Sequence, residues 1–258
     1  MLGSSSINSI TRAISILECF AYGKKEWNIL ELAKELSLPP STMHRQLATL
    51  VKHDYLRQGT SDKRYKIGNN LISFASAIMS KNDLRRLSMP EIRKLSEDVD
   101  ETVHLCQLEG FNMYYVDKVE SSHSVSCTSQ IGARIPAHTA AAGKVLLSGL
   151  TDAEIDRYCD ALAQFPVFTK NTIRDAETLR KAIEKIRREG YALDDEEREE
   201  GLSCAAAPIK DIDRKIFAAV SISGPSFRMK PQIRRYIDKI DQCAKSISKL
   251  MGFNELQS

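Results

Sequence analysis

The sequence predicts an α+β fold: an N-terminal winged helix-turn-helix, a linker helix, and a C-terminal domain in which helices flank a mostly antiparallel sheet. Residues 1–68 read as three short helices followed by a basic hairpin, and residues 89–258 mix apolar strand-like stretches with amphipathic helices. Residues 69–88, between them, have the apolar spacing of a helix. At 258 residues the chain is long enough for two domains of ordinary size.

Three helices are predicted in the N-terminal domain. Apolar residues at helical spacing predict the first helix over residues 7–22. The second begins after Asn28, which resembles a capping box together with Glu31 three positions later. The third begins near Pro39 or Pro40, because the missing N–H of proline would be unpaired in the first turn of a helix anyway.

The predicted third helix has an apolar face and a hydrogen-bonding face. A recognition helix needs both, because it packs on its domain and offers donors and acceptors to base edges in the major groove. The inward residues are Met43, Leu47, Leu50 and Val51. The residues predicted to bind DNA, including two at the tip of the hairpin, are Ser41, Thr42, His44, Arg45, Gln46, Thr49, Lys63 and Arg64. A protein-binding winged helix or an ordinary solvated face also fits this pattern.

Positive charge is concentrated in the first quarter of the chain. The net charge is +3, yet residues 1–67 contain ten Lys/Arg and six Asp/Glu, whereas the other 191 residues contain 27 and 28. This asymmetry indicates a nucleic-acid or other anionic partner for the N-terminal domain.

Strands and helices mix in the rest of the chain. Residues 70–88 are predicted as one linking helix, and Pro90 is expected to open a further helix over residues 91–99. Strands are predicted at residues 102–108, 113–119, 202–209 and 215–223. Further helices are predicted at residues 139–147, 151–163, 175–188 and 232–251.

A run of small residues within 135–144 is a candidate anion site. The first N–H groups of a helix have no intrahelical partner, and small side chains leave them accessible. A carboxylate would therefore fit on the N–H groups of Ala141 and Ala142. Close packing of the helix on the sheet also requires small residues, and from spacing alone this packing explanation is favoured.

The acidic run at residues 194–200 leads into a second candidate site. It is followed by a strand that carries Cys204, and the next strand carries Ser221 and Ser223, which alternation places on one face. Polar side chains on the inner face of an apolar strand indicate a pocket with a few aimed hydrogen bonds. A divalent cation site, a solvated acidic run and packing against a polar edge remain alternatives.

Scattered histidines and cysteines offer a competing interpretation. The six cysteines occur singly, which argues against a disulfide framework or a four-cysteine zinc site. A zinc or redox site, or an enzyme with Cys204 as nucleophile, would have to draw on His104, Cys106, Cys127, His138 and Cys204. Spacing places only His104 and Cys106, two positions apart on one predicted strand, on a common face of the sheet, and it does not determine how far the other residues lie from them. We therefore expect no enzyme, no metal and no cofactor.

Composition excludes several classes of protein. With 12 Gly and 8 Pro, the chain is neither collagen-like nor a low-complexity segment. No apolar run approaches the roughly 20 residues of a membrane-spanning helix, and the N-terminus lacks the pattern of a secretory signal. We expect a cytoplasmic protein with no membrane partner.

Taken together, these segments resemble the IclR family of bacterial transcriptional regulators along nearly the whole chain. The matching segments are residues 12–18, 32–39, 41–42 with 45, 64–68, 101–105, 132–136, 139–144, 196–197 with 201, 205–208 and 221–225. Their order and spacing are far more specific than any single motif.

The resemblance implies a winged helix joined by a helix to a GAF-like effector-binding domain. It implies a homodimer or homotetramer on a palindromic operator in double-stranded DNA, acting as a repressor of a catabolic operon. It also implies that a small carboxylate such as a sugar acid or keto acid changes DNA affinity. Carried over by motif, the effector pocket would consist of Ile135, Ala141, Ala142, Asp194, Leu202, Cys204, Ser221 and Ser223.

Within the family, the C-terminal domain is most similar to the sugar-acid branch, in particular the 2-keto-3-deoxygluconate regulators. Three positions depart from the family pattern. Pro40 replaces the usual Lys and removes a phosphate contact, and Ala137 replaces the usual Leu and enlarges the pocket wall. Arg214 replaces the Gly expected in a turn, with a local effect only.

Overall fold

The computed structural model describes residues 7–60, 62–80, 83–162 and 165–253. Contacts divide the chain into two compact units, residues 1–82 and residues 83–258. Within the described residues, no helix is both long enough and apolar enough to cross a membrane.

The N-terminal unit is a winged helix-turn-helix, as predicted. Its elements are α1 (Asn8–Tyr22), α2 (Ile29–Glu35), α3 (Pro40–Lys52), β1 (Leu56–Gln58), β2 (Tyr65–Ile67) and α4 (Asn69–Ser80). Strands β1 and β2 pair antiparallel to form the wing. The predicted capping box is confirmed, because Asn28 Oδ1 accepts the Glu31 N–H and Glu31 Oε2 accepts the Asn28 N–H, each at 2.9 Å.

A contact that the sequence did not predict attaches the wing to the helices. Trp27 forms an isolated β-bridge with Tyr65, with N···O distances of 3.2 and 2.8 Å. Its indole N–H also donates to the carbonyl of Cys19 in α1 at 3.1 Å. Trp27, in the chain just before α2, therefore holds this segment against the wing, and its side chain is buried.

The C-terminal unit has a six-stranded antiparallel sheet in the order β5-β4-β3-β8-β7-β6. Its strands are β3 (Thr102–Glu109), β4 (Asn112–Val119), β5 (Arg134–Pro136), β6 (Ala192–Asp195), β7 (Leu202–Lys210) and β8 (Ile216–Pro225). Its helices are α5 (Asp83–Val99), α6 (Ala141–Ser148), α7 (Asp152–Ala161), α8 (Ala176–Glu189) and α9 (Ser226–Leu250), and a 3-10 turn occupies Ala137–Thr139.

Two apolar cores lie on opposite faces of this sheet. Val220 and Ile222 of β8 pack in the core that contains α5 and α9. Ala219, from the alternate positions of the same strand, packs in the core that contains α6, α7 and α8. Ser221 and Ser223 therefore face α6, which agrees with the predicted alternation.

Two helices begin earlier than the sequence predicted. Pro90 was expected to open a helix but lies inside α5, and Pro231 lies inside α9, which begins at Ser226 rather than near residue 232. Both prolines are exposed. Solvent can therefore bond the carbonyl that each ring leaves without its N–H partner.

The predicted linking helix over residues 70–88 falls on two helices, α4 and α5, and residues 81–82 between them lie outside the described residues. Residue 163, the predicted end of α7, also lies outside them. The domain limits at residues 68 and 88 stay a prediction. Strands β5 and β6 were not predicted, because three and four residues are too few to show a clear alternation.

Gly143 is where α6 passes closest to the preceding turn. A Cβ at this position would lie 2.0 Å from the carbonyl oxygen of Ala137. Only glycine therefore allows the 3-10 turn to pack on the first turn of α6.

We expect Gly143→Ala to lower the free energy of unfolding by more than the roughly 1–3 kcal/mol of ordinary overpacking, because the colliding atoms are backbone. Urea unfolding followed by far-UV circular dichroism tests this, with Trp27 fluorescence as a separate reporter of the N-terminal unit. Gly110→Ala is the control, since φ there is +59° but no atom lies within 4 Å. Its expected cost is about 1–2 kcal/mol of backbone strain. An equal cost for both variants would contradict the close approach.

Candidate DNA-binding surface and ligand pocket

The polar face of α3 is accessible and its apolar face is buried. Of the α3 residues predicted to bind DNA, Ser41, His44, Arg45 and Thr49 are exposed, while Thr42 and Gln46 are half-buried. Met43, Leu47 and Leu50 are buried in the core of the unit. The Thr49 hydroxyl donates to the Arg45 carbonyl at 3.0 Å. The Arg45 guanidinium forms no ion pair within the part of the chain that the structure describes, so it is available to a ligand.

Hydrogen bonds link the described residues at the tip of the wing. Lys63 is exposed and has a φ of +53°, in the left-handed region. Its carbonyl accepts a hydrogen bond from Gln58 Nε2 at 3.1 Å, and Asp62 Oδ1 accepts the Arg64 N–H at 3.0 Å. The Lys63 ammonium is therefore presented from a fixed backbone.

Arg64 is held more firmly than the sequence suggested. Its Nη1 lies 3.3 Å from Glu31 Oε2, the carboxylate oxygen that also caps α2. The backbone hydrogen bond from Asn28, then the charges of Arg64 and Lys24, hold the pKa of Glu31 below its ordinary value. Arg64 thus attaches the wing to the start of the helix-turn-helix.

In the C-terminal unit, the sheet register aligns the predicted pocket residues. Asp194 of β6 pairs with Cys204 of β7, which pairs with Ser223 of β8. In the next row of the same face, Ser221 pairs with His104 of β3. Cross-strand neighbours have Cβ atoms roughly 4.5–5.5 Å apart, so these buried polar groups form one continuous patch.

Helix α6 covers the face of the sheet that carries this patch. Ala141 and Ala142, at its start, are buried in the same core as Ile135 of β5 and Cys204, and Leu202 packs against that core. The first N–H groups of α6 have no intrahelical acceptor. The eight residues predicted for the pocket therefore all lie on or beside one face of the sheet.

Asp194 is a buried carboxyl group with a raised pKa. It is 3% exposed, and its Oδ1 accepts the Glu197 N–H at 2.7 Å. Burial, followed by the nearby Glu197 carboxylate, raises the pKa of Asp194 to about 7. Near neutral pH its side chain is thus partly protonated and can donate as well as accept a hydrogen bond.

Lys144 links α6 to the loop after β6, a link that sequence reasoning missed. It is 4% exposed, its Nζ donates to the Leu193 carbonyl at 2.7 Å, and it forms a short ion pair with Glu197. A lysine inside a helix of small apolar residues is the signal that would have indicated a buried partner.

His104 lies on the sheet face that carries Cys204, Ser221 and Ser223, which we call the pocket face. Its Nε2 lies 2.8 Å from Ser129 Oγ, its Nδ1 lies 3.4 Å from Ser223 Oγ, and its ring centroid is 4.9 Å from that of Tyr115. Burial, with a smaller effect of Lys118, lowers the pKa of His104 to about 3. It is therefore a neutral hydrogen-bonding group at physiological pH.

The thiols of this face are poor nucleophiles. Burial raises the pKa of Cys106 and of Cys204 well above the ordinary thiol value, and it raises the pKa of Cys127 to about 11. No three His, Cys, Asp or Glu side chains among the described residues are arranged to hold a metal ion. His138 instead bonds the Tyr158 hydroxyl through Nδ1 at 2.7 Å. These observations do not favour the thiolate and zinc alternatives.

Two family models match the two units. A model described as the IclR helix-turn-helix domain matches residues 9–59, and one described as the C-terminal part of the bacterial transcriptional regulator IclR matches residues 76–249.

Individual relatives are similar over nearly the full chain. The regulator XynR of Escherichia coli K12 is 31% identical over 96% of this chain and 98% of its own length. The regulator KdgR of the same strain is 30% identical over 97% and 95%.

Solved structures share the fold. IclR of Thermotoga maritima has a TM-score of 0.84 at 29% identity, covering 96% of this chain and all of that one. An IclR homolog from Microbacterium hydrocarbonoxydans, complexed with 4-hydroxybenzoate, has a TM-score of 0.82 at 21% identity, covering 93% and 98%.

We expect Asp194→Asn to remove a pH dependence of stability while keeping the oxygen that accepts the Glu197 N–H. The pKa of Asp194, about 7 in the folded protein, exceeds the ordinary value of 3.8. Between these values the folded state holds a proton that the unfolded state has lost, so wild-type stability falls as pH rises. The difference in unfolding free energy between variant and wild type should therefore grow from about pH 4 to pH 7 and then level off. A constant difference would show that Asp194 does not titrate in this range.

Proposed function

This chain belongs to the IclR family of bacterial transcriptional regulators, and we propose that it is a repressor whose operator affinity changes when a small carboxylate binds the C-terminal unit. The observation that carries the proposal is that α3 exposes its polar face while its opposite, apolar face is buried in the core of the unit. It is the arrangement that a recognition helix requires. Such a regulator acts on the bacterial chromosome, in the cytoplasm.

Recognition of DNA combines two kinds of contact. Thr42, Arg45 and Gln46 are proposed to read base edges in the major groove, where an Arg fork matches the two acceptors of guanine. Lys63 in the wing and Ser41 at the start of α3 contact phosphates and set the register. The phosphate contacts make binding salt-dependent. A homodimer or homotetramer would place two α3 helices on a palindrome whose half-sites lie about one helical turn, or a multiple of it, apart.

The pocket face suits a carboxylate ligand. We propose that the N–H groups of Ala141 and Ala142, at the start of α6, bind the carboxylate and that Ser221 and Ser223 add hydroxyl donors. Asp194 near neutral pH is partly protonated and donates rather than repels. Ile135 and Cys204 lie in the adjoining apolar core and Leu202 packs against it, so these residues are proposed as the apolar walls.

One comparison supports a carboxylate effector. The homolog from Microbacterium hydrocarbonoxydans is complexed with 4-hydroxybenzoate, which is a carboxylate. The resemblance of the C-terminal domain to the sugar-acid branch suggests which carboxylates to consider. We therefore propose a sugar acid or a keto acid. It can change operator affinity only if it binds the DNA-bound and DNA-free states with different affinity.

Fluorescence anisotropy of labelled DNA from upstream of the protein's own operon tests the proposal. The titration is repeated over a salt series, with and without a panel of sugar acids and 2-keto acids. We expect binding that is tighter than on random sequence, weakens with salt and changes with one of the acids. If no acid alters binding, the carboxylate pocket is contradicted. If the protein binds the upstream DNA no more tightly than random DNA, sequence-specific operator recognition is contradicted.

We expect Arg45→Ala to reduce specific operator affinity at least tenfold and to leave the fold intact, because one bidentate base contact provides about 1–3 kcal/mol of discrimination. Anisotropy on operator and random DNA measures the loss. Lys249→Ala, which removes a positive charge from α9, is the control and should change little. If Arg45→Ala keeps specific affinity within a few-fold of wild type, Arg45 of α3 does not recognise the operator sequence.

Ser221→Ala is expected to weaken the effector response while sparing operator affinity without effector. The hydroxyl is buried on the pocket face and removing it leaves the α3 surface unchanged. The acid concentration for half-maximal change in anisotropy should rise about tenfold, the effect of roughly 1.4 kcal/mol. Ser246→Ala, on the exposed side of α9, is the matched control. Equal responses of both variants would refute a ligand contact at Ser221.

A further inference from the structure

Three acids at the end of β6 and in the loop after it are paired with lysines, whereas Arg198 of the same loop has no ion pair among the described residues. Lys230 of α9 lies 2.8 Å from Asp195 and 2.7 Å from Glu196, and Lys144 pairs with Glu197. Arg198 follows these acids, yet no carboxylate of the described residues lies within ion-pair distance of its guanidinium. Its positive charge is therefore not neutralised by the protein that surrounds it.

The guanidinium of Arg198 is partly buried and incompletely bonded. Its Cζ lies 3.9 Å from the centroid of the Phe168 ring, in a cation–π contact. Its Nη1 is fully buried and has no hydrogen-bond partner among the described residues. Buried donors on charged groups are almost always paired, so an unpaired one at this position indicates a missing acceptor.

Hydrogen bonds between two loops fix the backbone next to Arg198 and the Phe168 ring that it contacts. The Phe168 N–H donates to Thr172 Oγ1 at 3.1 Å, and Thr172 Oγ1 donates to the Glu197 carbonyl at 2.6 Å. Thr169 Oγ1 donates to the Glu196 carbonyl, also at 2.6 Å. The platform of Phe168 and the backbone beside Arg198 therefore form one preorganised structure, which reduces the entropy lost on binding.

The backbone carries Arg198 next to the predicted pocket. It directly follows Glu197, whose N–H donates to Asp194 Oδ1 at 2.7 Å. Tyr115 packs at a tilt against His104 on the pocket face. Lys144 neutralises Glu197 there.

We propose that Arg198 binds a second anionic group of the effector, so that the effector is a diacid whose other carboxylate lies at the start of α6. A guanidinium fork matches a carboxylate through two parallel hydrogen bonds, which supplies the acceptor that Nη1 lacks. This inference rests on the proposed function, because it concerns the ligand of the same pocket.

A hydroxylated diacid fits one further observation. Glu197 Oε2 is buried without a hydrogen-bond partner in the described part of the chain, while Oε1 of the same carboxylate is held by Lys144. A free carboxylate oxygen accepts a hydroxyl hydrogen. A sugar diacid supplies both the carboxylate for Arg198 and hydroxyl groups for Glu197.

Matched acids test the inference by isothermal titration of the full-length protein. D-Glucarate differs from D-gluconate only in having a carboxylate instead of an alcohol at C6, and 2-oxoglutarate is compared with 2-oxopentanoate. We expect at least one diacid to bind at least tenfold more tightly than its matched monoacid. Arg198→Gln should remove that advantage and leave the monoacid affinity within about twofold.

Two further variants separate charge, geometry and folding. Arg198→Lys keeps the charge without the fork and should recover only part of the diacid advantage. Arg188→Gln removes an exposed charge from α8 and should change neither affinity. Far-UV circular dichroism of each variant checks the fold.

The possible failures are distinguishable. If monoacids bind and shift operator affinity but no diacid binds better, or if Arg198→Gln affects both acids of a pair equally, the role of Arg198 is wrong and the proposed function stands. If no acid of either kind binds, both the diacid inference and the carboxylate pocket are wrong.

Discussion

One buried cation organises the C-terminal unit. Lys144 lies within α6 among small apolar residues, and an ammonium buried without partners would be strongly destabilising. Helix α6 can therefore pack on the sheet only when β6 supplies the Leu193 carbonyl and the loop after β6 supplies the Glu197 carboxylate. The same loop fixes Asp194 through the Glu197 N–H. Removing the lysine would thus disturb the helix and the acidic side of the pocket together.

A single carboxylate has a comparable role in the N-terminal unit. Glu31 closes the capping box of α2 and also holds Arg64. The start of the helix-turn-helix and the wing are therefore positioned by the same group. Trp27, in the chain before α2, is also bonded to Tyr65 of the wing. The angle between wing and recognition helix is thereby defined within the unit.

The sequence was sufficient wherever a pattern repeats over several residues. The periodicity of α1 and α3, the capping box at Asn28 and the alternation that places Ser221 and Ser223 on one face were all predicted, together with the fold class. The prediction failed where Pro90 was taken as a helix start, because the exposure that lets this proline lie inside α5 is a tertiary property. The partners of Lys144, His104 and Arg198 come from distant segments, and no local pattern encodes such pairings. The roles of the DNA-binding and pocket residues stay predictions.

The two edges of the large sheet are its shortest strands. β5 has three residues and ends in Pro136, which lacks an N–H, and β6 has four. Short edges that are interrupted by proline or carry charge, such as Arg134 on β5, offer few free backbone groups to a strand from another molecule. The sheet is therefore protected against growth by edge-to-edge addition and the aggregation that follows from it. Any contact between copies of this chain would therefore be made by side chains of helices and loops rather than by the edges of the sheet.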